Sequence, residues 1–151
     1  MPLLTRRSFV TAIACLCLGR AARAEGQLVS TGPNDVAIQG YDTRAYWTDG
    51  TARMGDKVNM FRWKSAPWHF ADPVDAKIFA ANPARFAPQF GGFCTRAMSF
   101  RKVVDGDPEV WRIFEGKLYL FAQPKGGKVF DKGAAPMIAK AQAHWDSLGD
   151  T

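Results

Sequence analysis

The first 24 residues constrain the fold of this chain most, because they carry the marks of a leader that is cleaved from the rest. They combine a charged start at Arg6 and Arg7 with an apolar stretch over residues 9–18 and an Ala-x-Ala ending at Ala24. Such a stretch is too short to span a membrane and is typical of a secretory signal peptide. The domain is therefore expected to comprise residues 25–151, without an integral membrane segment after cleavage.

The paired arginines also predict the export route. They are followed by Ser8, Phe9 and Val10, an order that resembles the twin-arginine motif, and basic residues stand close to the cleavage point. Twin-arginine export predicts a periplasmic destination. An ordinary signal peptide in which two arginines are adjacent by chance is the alternative.

Removing the leader changes the charge and the cysteine count. The chain has 20 Lys and Arg, 14 Asp and Glu, and three cysteines. The leader takes four arginines together with Cys15 and Cys17, so 16 basic side chains, 14 acidic side chains and Cys94 remain. No disulfide can form within that domain. Its small, scattered positive charge also argues against nucleic acid as a partner.

Periodicity predicts a small α+β domain with β-hairpins and short helices. Alternating apolar residues favour strands, and apolar residues at three- and four-residue spacing favour helices. The predicted hairpins cover residues 58–70 and 110–121, the predicted helices cover residues 74–81, 93–99 and 136–148, and residues 36–38 are a short strand candidate. No internal repeat and no linker is expected.

Cys94 is the residue with the clearest chemistry. The helix predicted over residues 93–99 places it in the first turn, where unpaired backbone N–H groups favour a thiolate. Met98 would share its helical face, and this soft pair suits Cu(I). His69, on a strand and directed opposite to its two aromatic neighbours, is a third candidate metal ligand. The alternative is that Cys94 and Met98 are ordinary core residues.

Tyr41 and Asp42 are candidate ligand-binding residues. Asp42 could orient a ligand beside the phenol, although an aspartate at such a place more often braces its own turn. The motifs of common hydrolases, nucleotide-binding proteins and zinc proteases are missing from the sequence. The sequence therefore favours a non-enzymatic protein over an enzyme.

Five segments between Val36 and Trp145 follow one another in an order known from one protein family. They are residues 36–46, residues 70–72 with Phe79 and 82–88, residues 89–94, residues 106–108 with Trp111 and 116–120, and residues 138–141 with Trp145. These segments resemble exported bacterial YHS-domain proteins. Cys94 matches the cysteine of that family, whereas Phe121 and Met98 depart from its usual asparagine and small aliphatic residue.

The resemblance implies a core of β-hairpin and helix related to treble-clef-like metal modules. The cysteines of metal-binding relatives correspond to Ala71 and Asp75 in this sequence, so the zinc cysteines are missing. The expected core is therefore YHS-like without its zinc site, and the aromatic side chains must hold it together.

Three functions remain open. The first is a periplasmic, non-enzymatic binding module for a transition metal, such as copper, or a small ligand near Cys94. The second is a structural or protein-interaction domain without metal. The third is a thiol redox role for Cys94, which lacks an evident base or resolving cysteine.

Overall fold

A computed structural model describes residues 28–149, so the predicted signal peptide lies outside the described residues. The domain is α+β, as predicted, and both hairpins are present. The strands are antiparallel pairs, β1 (Asp56–Trp63) with β2 (Ala66–Phe70) and β3 (Asp107–Phe114) with β4 (Lys117–Phe121). The helices are α1 (Ala45–Thr48), α2 (Pro73–Ala81), α3 (Pro83–Phe86), α4 (Thr95–Ser99), α5 (Pro124–Phe130) and α6 (Ala134–Gly149), and 3₁₀ turns cover Gly32–Asn34, Ala37–Gly40 and Gln89–Gly92.

Local sequence explains the best-predicted elements. Two-residue turns with positive φ at both positions connect the strands, at Lys64 and Ser65 and again at Glu115 and Gly116. Helix α2 begins at a proline, and the Asp72 carboxylate before it accepts hydrogen bonds from two backbone N–H groups at 2.8 and 2.9 Å. These short-range interactions specify where the elements begin and turn.

The two halves of the described domain repeat one structural unit, so the expectation of no internal repeat is wrong. Each unit has a 3₁₀ turn, a short helix, a hairpin and a helix that begins with proline. The two hairpins have the same strand register and a bulge at the same place, and equivalent residues are 51 positions apart in the sequence. The pairs beside the bulge are Asp56–Phe70 and Met60–His69 in the first hairpin, and Asp107–Phe121 and Trp111–Leu120 in the second. We call residues 37–81 the N-terminal repeat and residues 89–130 the C-terminal repeat.

The 3₁₀ turn of each repeat has the same unusual backbone. Ile38 and Gln39 have positive φ, as do the equivalent Phe90 and Gly91, and the next glycine of each turn accepts a hydrogen bond from the glycine before the hairpin, at 2.9 and 3.1 Å. The predicted strand over residues 36–38 is therefore wrong. Left-handed residues interrupt an extended chain, and alternation over three residues could not show them.

Short sequence matches accompany the repeated structure. Residues 40–45 read GYDTRA and residues 92–97 read GFCTRA, while FADP at 70–73 corresponds to FAQP at 121–124. This alignment makes Asp42 the equivalent of Cys94, and Tyr46 the equivalent of Met98. The two repeats can therefore be compared residue by residue.

Each repeat has its own apolar core, and β4 lies between the two. Leu118 and Leu120 are fully buried in the core of the N-terminal repeat, whereas Tyr119 and Phe121 are buried in the core of the C-terminal repeat. Fully burying a side chain of this size stabilises a fold by about 1.5–3 kcal/mol. The alternation of β4 thus joins the repeats through a continuous apolar contact.

The repeats pack head to tail. The C-terminal hairpin covers α1 of the N-terminal repeat, where the Tyr46 hydroxyl donates to the Pro108 carbonyl at 2.7 Å and its ring lies 5.2 Å from that of Trp111. In the C-terminal repeat, α6 takes the corresponding place and packs on α4, and Met98 is buried in a cluster that also contains Met137. Helix α6 therefore covers α4 as the C-terminal hairpin covers α1.

Candidate functional site

Cys94 lies at the start of α4 and is enclosed by the core. The helix begins at Thr95, so Cys94 is its N-cap residue and the predicted place in the first turn is wrong. Its Sγ accepts a hydrogen bond from the Ala97 N–H at 3.4 Å, and only 5% of the residue is exposed. Met98 is fully buried in the same apolar cluster. The structure brings these two candidates together as core residues.

The equivalent position in the N-terminal repeat shows what this place in the fold does. Asp42 is fully buried there, and its carboxylate accepts hydrogen bonds from the Arg44 N–H at 2.7 Å and the Ala71 N–H at 2.9 Å. Asp42 therefore braces its own turn and ties it to the end of β2. Cys94 and Asp42 both satisfy backbone N–H groups next to the 3₁₀ turn, which is a structural role.

The Asp42 carboxylate belongs to a cluster of charged side chains. Arg53 lies 3.7 Å from Asp42, 3.5 Å from Asp75 and 3.1 Å from Asp49, and Arg44 lies 3.3 Å from Asp75. Burial raises the pKa of Asp75, and the nearby Asp42 and Asp72 carboxylates raise it further, while Arg44 opposes them. The cluster joins the Asp42 turn, the segment before β1 and helix α2.

The charged cluster occupies the place that the family resemblance assigns to cysteine ligands. The backbone N–H of Ala71 is bonded to Asp42, and the Asp75 carboxylate contacts two guanidinium groups. In the C-terminal repeat the equivalents of Asp42, Arg53 and Asp75 are Cys94, Val104 and Gly126, so the acids and their cation change together. The N-terminal repeat therefore has ion pairs at a place where the C-terminal repeat has uncharged residues.

Tyr41 and Asp42 do not face a common site. The Tyr41 hydroxyl donates to Oε1 of Glu109 on β3 at 3.0 Å, which links the two repeats. Burial and this carboxylate raise the pKa of Tyr41. Asp42 instead faces Ala71 and Arg53, within its own repeat. Both side chains are occupied by contacts that hold the fold.

His69 lies on β2 in the N-terminal repeat, away from the core that contains Cys94. Trp68 and Phe70 are buried and His69 is half-buried on the opposite side of the strand, as predicted. Its direct neighbour across the hairpin is Met60, and its ring approaches Gly40. The structure thus places His69 beside methionines of its own repeat, and beside neither Cys94 nor Met98.

An open apolar surface surrounds His69. We call it the hairpin face, and its members are Met54, Met60, Pro67 and His69. Exposed Arg62, the cross-strand partner of Pro67, lies on the same side of the hairpin. Met54 is 57% exposed and Met60 is 46% exposed, and Val58, in the adjoining bulge, is 79% exposed. The equivalents of Pro67 and His69 in the C-terminal repeat are Leu118 and Leu120, which are completely buried. On this side, the second strand of the hairpin is covered in the C-terminal repeat and open in the N-terminal repeat.

Met54 and Met60 were not predicted as site residues from the sequence. Met54 precedes β1 in a segment without periodicity, and alternation alone does not show which face of β1 the protein covers. The signal that could have found them is the repeated GYDTRA and GFCTRA, because it aligns the two hairpins and exposes their difference. In this alignment Met54 corresponds to Asp105. Met54 forms an isolated β-bridge with Tyr41, and Asp105 forms the equivalent bridge with Phe93.

A separate groove of about 450 Å³ lies on the C-terminal repeat between β3 and the start of α6. Arg112 lines it, and its guanidinium forms a paired contact with the Asp131 carboxylate at 2.8 and 2.9 Å. That hydrogen bonding raises the pKa of Arg112 and lowers the pKa of Asp131. The main charges of this groove therefore satisfy each other.

Two further findings concern residues 28–149. No three His, Cys, Asp or Glu side chains in this range come together as a metal site. No helix in the same range is long and apolar enough to cross a membrane.

Comparisons with protein-family models, curated proteins and solved structures found no match to this chain.

Proposed function

We propose that this protein is a non-enzymatic binding domain of the periplasm and that it binds its ligand through the hairpin face. The difference between the repeats carries the proposal. The C-terminal repeat buries this side of its second strand at Leu118 and Leu120, whereas the N-terminal repeat leaves His69 half-buried beside Met60 and Met54, which are 46% and 57% exposed. Exposed apolar side chains grouped on one surface are typical of a binding site.

The contacts of Cys94 argue for this surface over the thiol. A buried Sγ that accepts a hydrogen bond from Ala97 N–H has little room for a ligand. Cys94 is also the only free cysteine among the residues that the structure describes, so a redox cycle would need a second thiol from elsewhere. The hairpin face is therefore a better candidate for ligand binding than Cys94.

The periplasmic location rests on the sequence. Arg6, Arg7 and the Ala-x-Ala ending at Ala24 are typical of an exported chain, and the resemblance to exported YHS-domain proteins points to the same compartment.

A structural or protein-interaction domain is the second candidate. The packing of Cys94, Tyr41 and Asp42 into the fold favours it, since none of these side chains is left for chemistry. In that case the hairpin face would contact another protein, or nothing.

Hydroxyl-radical footprinting in intact cells and on the purified protein tests whether the hairpin face is occupied. Oxidation of Met54 and Met60 is measured by mass spectrometry relative to Phe100, which is 64% exposed and lies after α4. We expect both methionines to be protected in cells and oxidised readily after purification. Equal relative oxidation in both samples would show an unoccupied face and would contradict the proposal. Buried Met98 is the control that stays protected in both samples.

A further inference from the structure

Two potential metal ligands lie against Gly40. Its φ is +85°, and a Cβ at this position would be in van der Waals contact with Sδ of Met54, at 3.5 Å, and with Nδ1 of His69, at 3.6 Å. Sulfur and nitrogen therefore both border the same glycine, with no side chain between them. Rotation of the long, flexible Met54 side chain can bring its sulfur and the imidazole to one ion.

Met60 brings a second thioether to the same place. It is the direct cross-strand partner of His69, and side chains in such pairs have Cβ atoms about 4.5–5.5 Å apart. A methionine side chain is long and flexible enough to span that distance. The imidazole of His69 forms no hydrogen bond with any residue in the described range 28–149, so its nitrogens are available there.

We propose that Met54, Met60 and His69 bind one Cu(I) ion. This inference rests on the proposed function, because it takes the hairpin face as the binding surface and names its ligand. Thioethers are soft ligands that select Cu(I), and imidazole binds copper well. The set contains no carboxylate or thiolate, so it offers little to Zn²⁺, Mg²⁺ or Ca²⁺.

The C-terminal repeat is an internal comparison. At the positions of Met54, Met60 and His69 it has Asp105, Trp111 and Leu120. Gly92, the equivalent of Gly40, is bordered by carbon atoms: a Cβ there would lie 2.8 Å from Ile38 and 3.3 Å from Pro88. The three donors occur together only in the N-terminal repeat of this pair.

The exposure of the site indicates what it would do with the ion. Met54 and Met60 are about half exposed, so a second protein could reach the metal and receive it by exchange of ligands. Thioethers cannot form disulfides, so disulfide formation does not remove these ligands in an oxidising compartment. Such a site would hold Cu(I) reversibly without changing its oxidation state.

Competition for Cu(I) against the chelator bathocuproine disulfonate tests the site. The full chain is used with Cys15→Ser, Cys17→Ser and Cys94→Ser, so that no thiol contributes. We expect one Cu(I) per chain, and an affinity at least about tenfold weaker after Met54→Leu, Met60→Leu or His69→Leu, since each removes one ligand. Leucine at position 69 reproduces the residue of the other repeat.

The matched controls are His144→Gln on the outer part of α6 and Met137→Leu in the C-terminal core, and both should leave the affinity unchanged. Thermal melts followed by circular dichroism establish that each variant is folded. A cysteine-free chain that takes no Cu(I), or a Met54→Leu, Met60→Leu double variant with the original affinity, would overturn the inference. Protection of the face in cells without Cu(I) binding would point to a protein ligand and leave the proposed function standing.

Discussion

Replacing Asp42 with asparagine tests whether its buried carboxylate holds the N-terminal repeat together. The side chain keeps its size but loses its charge and one acceptor. The carboxylate accepts hydrogen bonds from the N–H groups of Arg44 and Ala71 and lies 3.7 Å from Arg53. An amide must point its NH₂ group at one of these N–H donors, which leaves that donor without a partner.

The expected change in the free energy of unfolding follows from these contacts. A buried donor without a partner costs about 1–3 kcal/mol, and replacing a charged acceptor by a neutral one weakens the remaining hydrogen bond by roughly 1 kcal/mol. Asp42 is fully buried, so water does not compensate for either loss. We expect Asp42→Asn to lower the free energy of unfolding by roughly 2–4 kcal/mol.

Urea denaturation at neutral pH measures the effect as a lower midpoint with an unchanged m-value. Asp56→Asn is the matched control, because exposed Asp56 also accepts a hydrogen bond from the N–H two residues later, at 3.0 Å to Val58. That variant should stay within about 0.5 kcal/mol of the original protein. The reasoning is refuted if Asp42→Asn is as stable as Asp56→Asn.

The pKa of Asp75 provides a second measurement on the same variant. Burial raises this pKa most, and the charge of Asp42 is the next cause. A raised pKa makes the folded protein bind more protons than the unfolded chain, so stability falls as the pH rises from the ordinary carboxyl pKa to the raised one. Asp42→Asn should lower the pKa of Asp75, measured by NMR titration, and reduce that loss of stability.

Two further predictions concern the second strands of the two hairpins and the Cys94 thiol. Leu120→Ala should lower the free energy of unfolding by about 2–5 kcal/mol, whereas His69→Ala at the equivalent open position should change it by about 0.5 kcal/mol or less; equal losses in urea denaturation would show that the hairpin face is not open. Native Cys94 should resist iodoacetamide and react fully in urea, as followed by mass spectrometry. Fast alkylation of the native protein would restore the redox hypothesis.

The elements specified by short-range signals were predictable. Alternation identified both hairpins, and the Asp72 cap with Pro73 identified the start of α2. Helix α5 was not predicted, because Gly126 and Gly127 have low helix propensity. Glycine avoids crowding at both positions: a Cβ would lie 3.1 Å from Phe121 at the first and 3.0 Å from the Arg112 guanidinium at the second.

The candidate site was predictable only in part. The sequence pointed to His69 as a possible copper ligand, and the alternation correctly turned it away from Trp68. The sequence grouped His69 with Cys94 and Met98, because soft metal ligands are recognisable by residue type. The distances between them are not recognisable in this way, and the structure places His69 in the N-terminal repeat and the other two in the core of the C-terminal repeat.

The fold class, the two hairpins and the single thiol of residues 25–151 could be predicted from the sequence, because periodicity, turn residues and composition are local properties. Which of the two second strands is covered depends on tertiary packing. β2 and β4 have the same register and alternate in the same way, yet Leu120 is buried between the repeats and His69 is half-exposed. A strand's pattern distinguishes its two faces, but what packs against each face depends on residues far away in the chain.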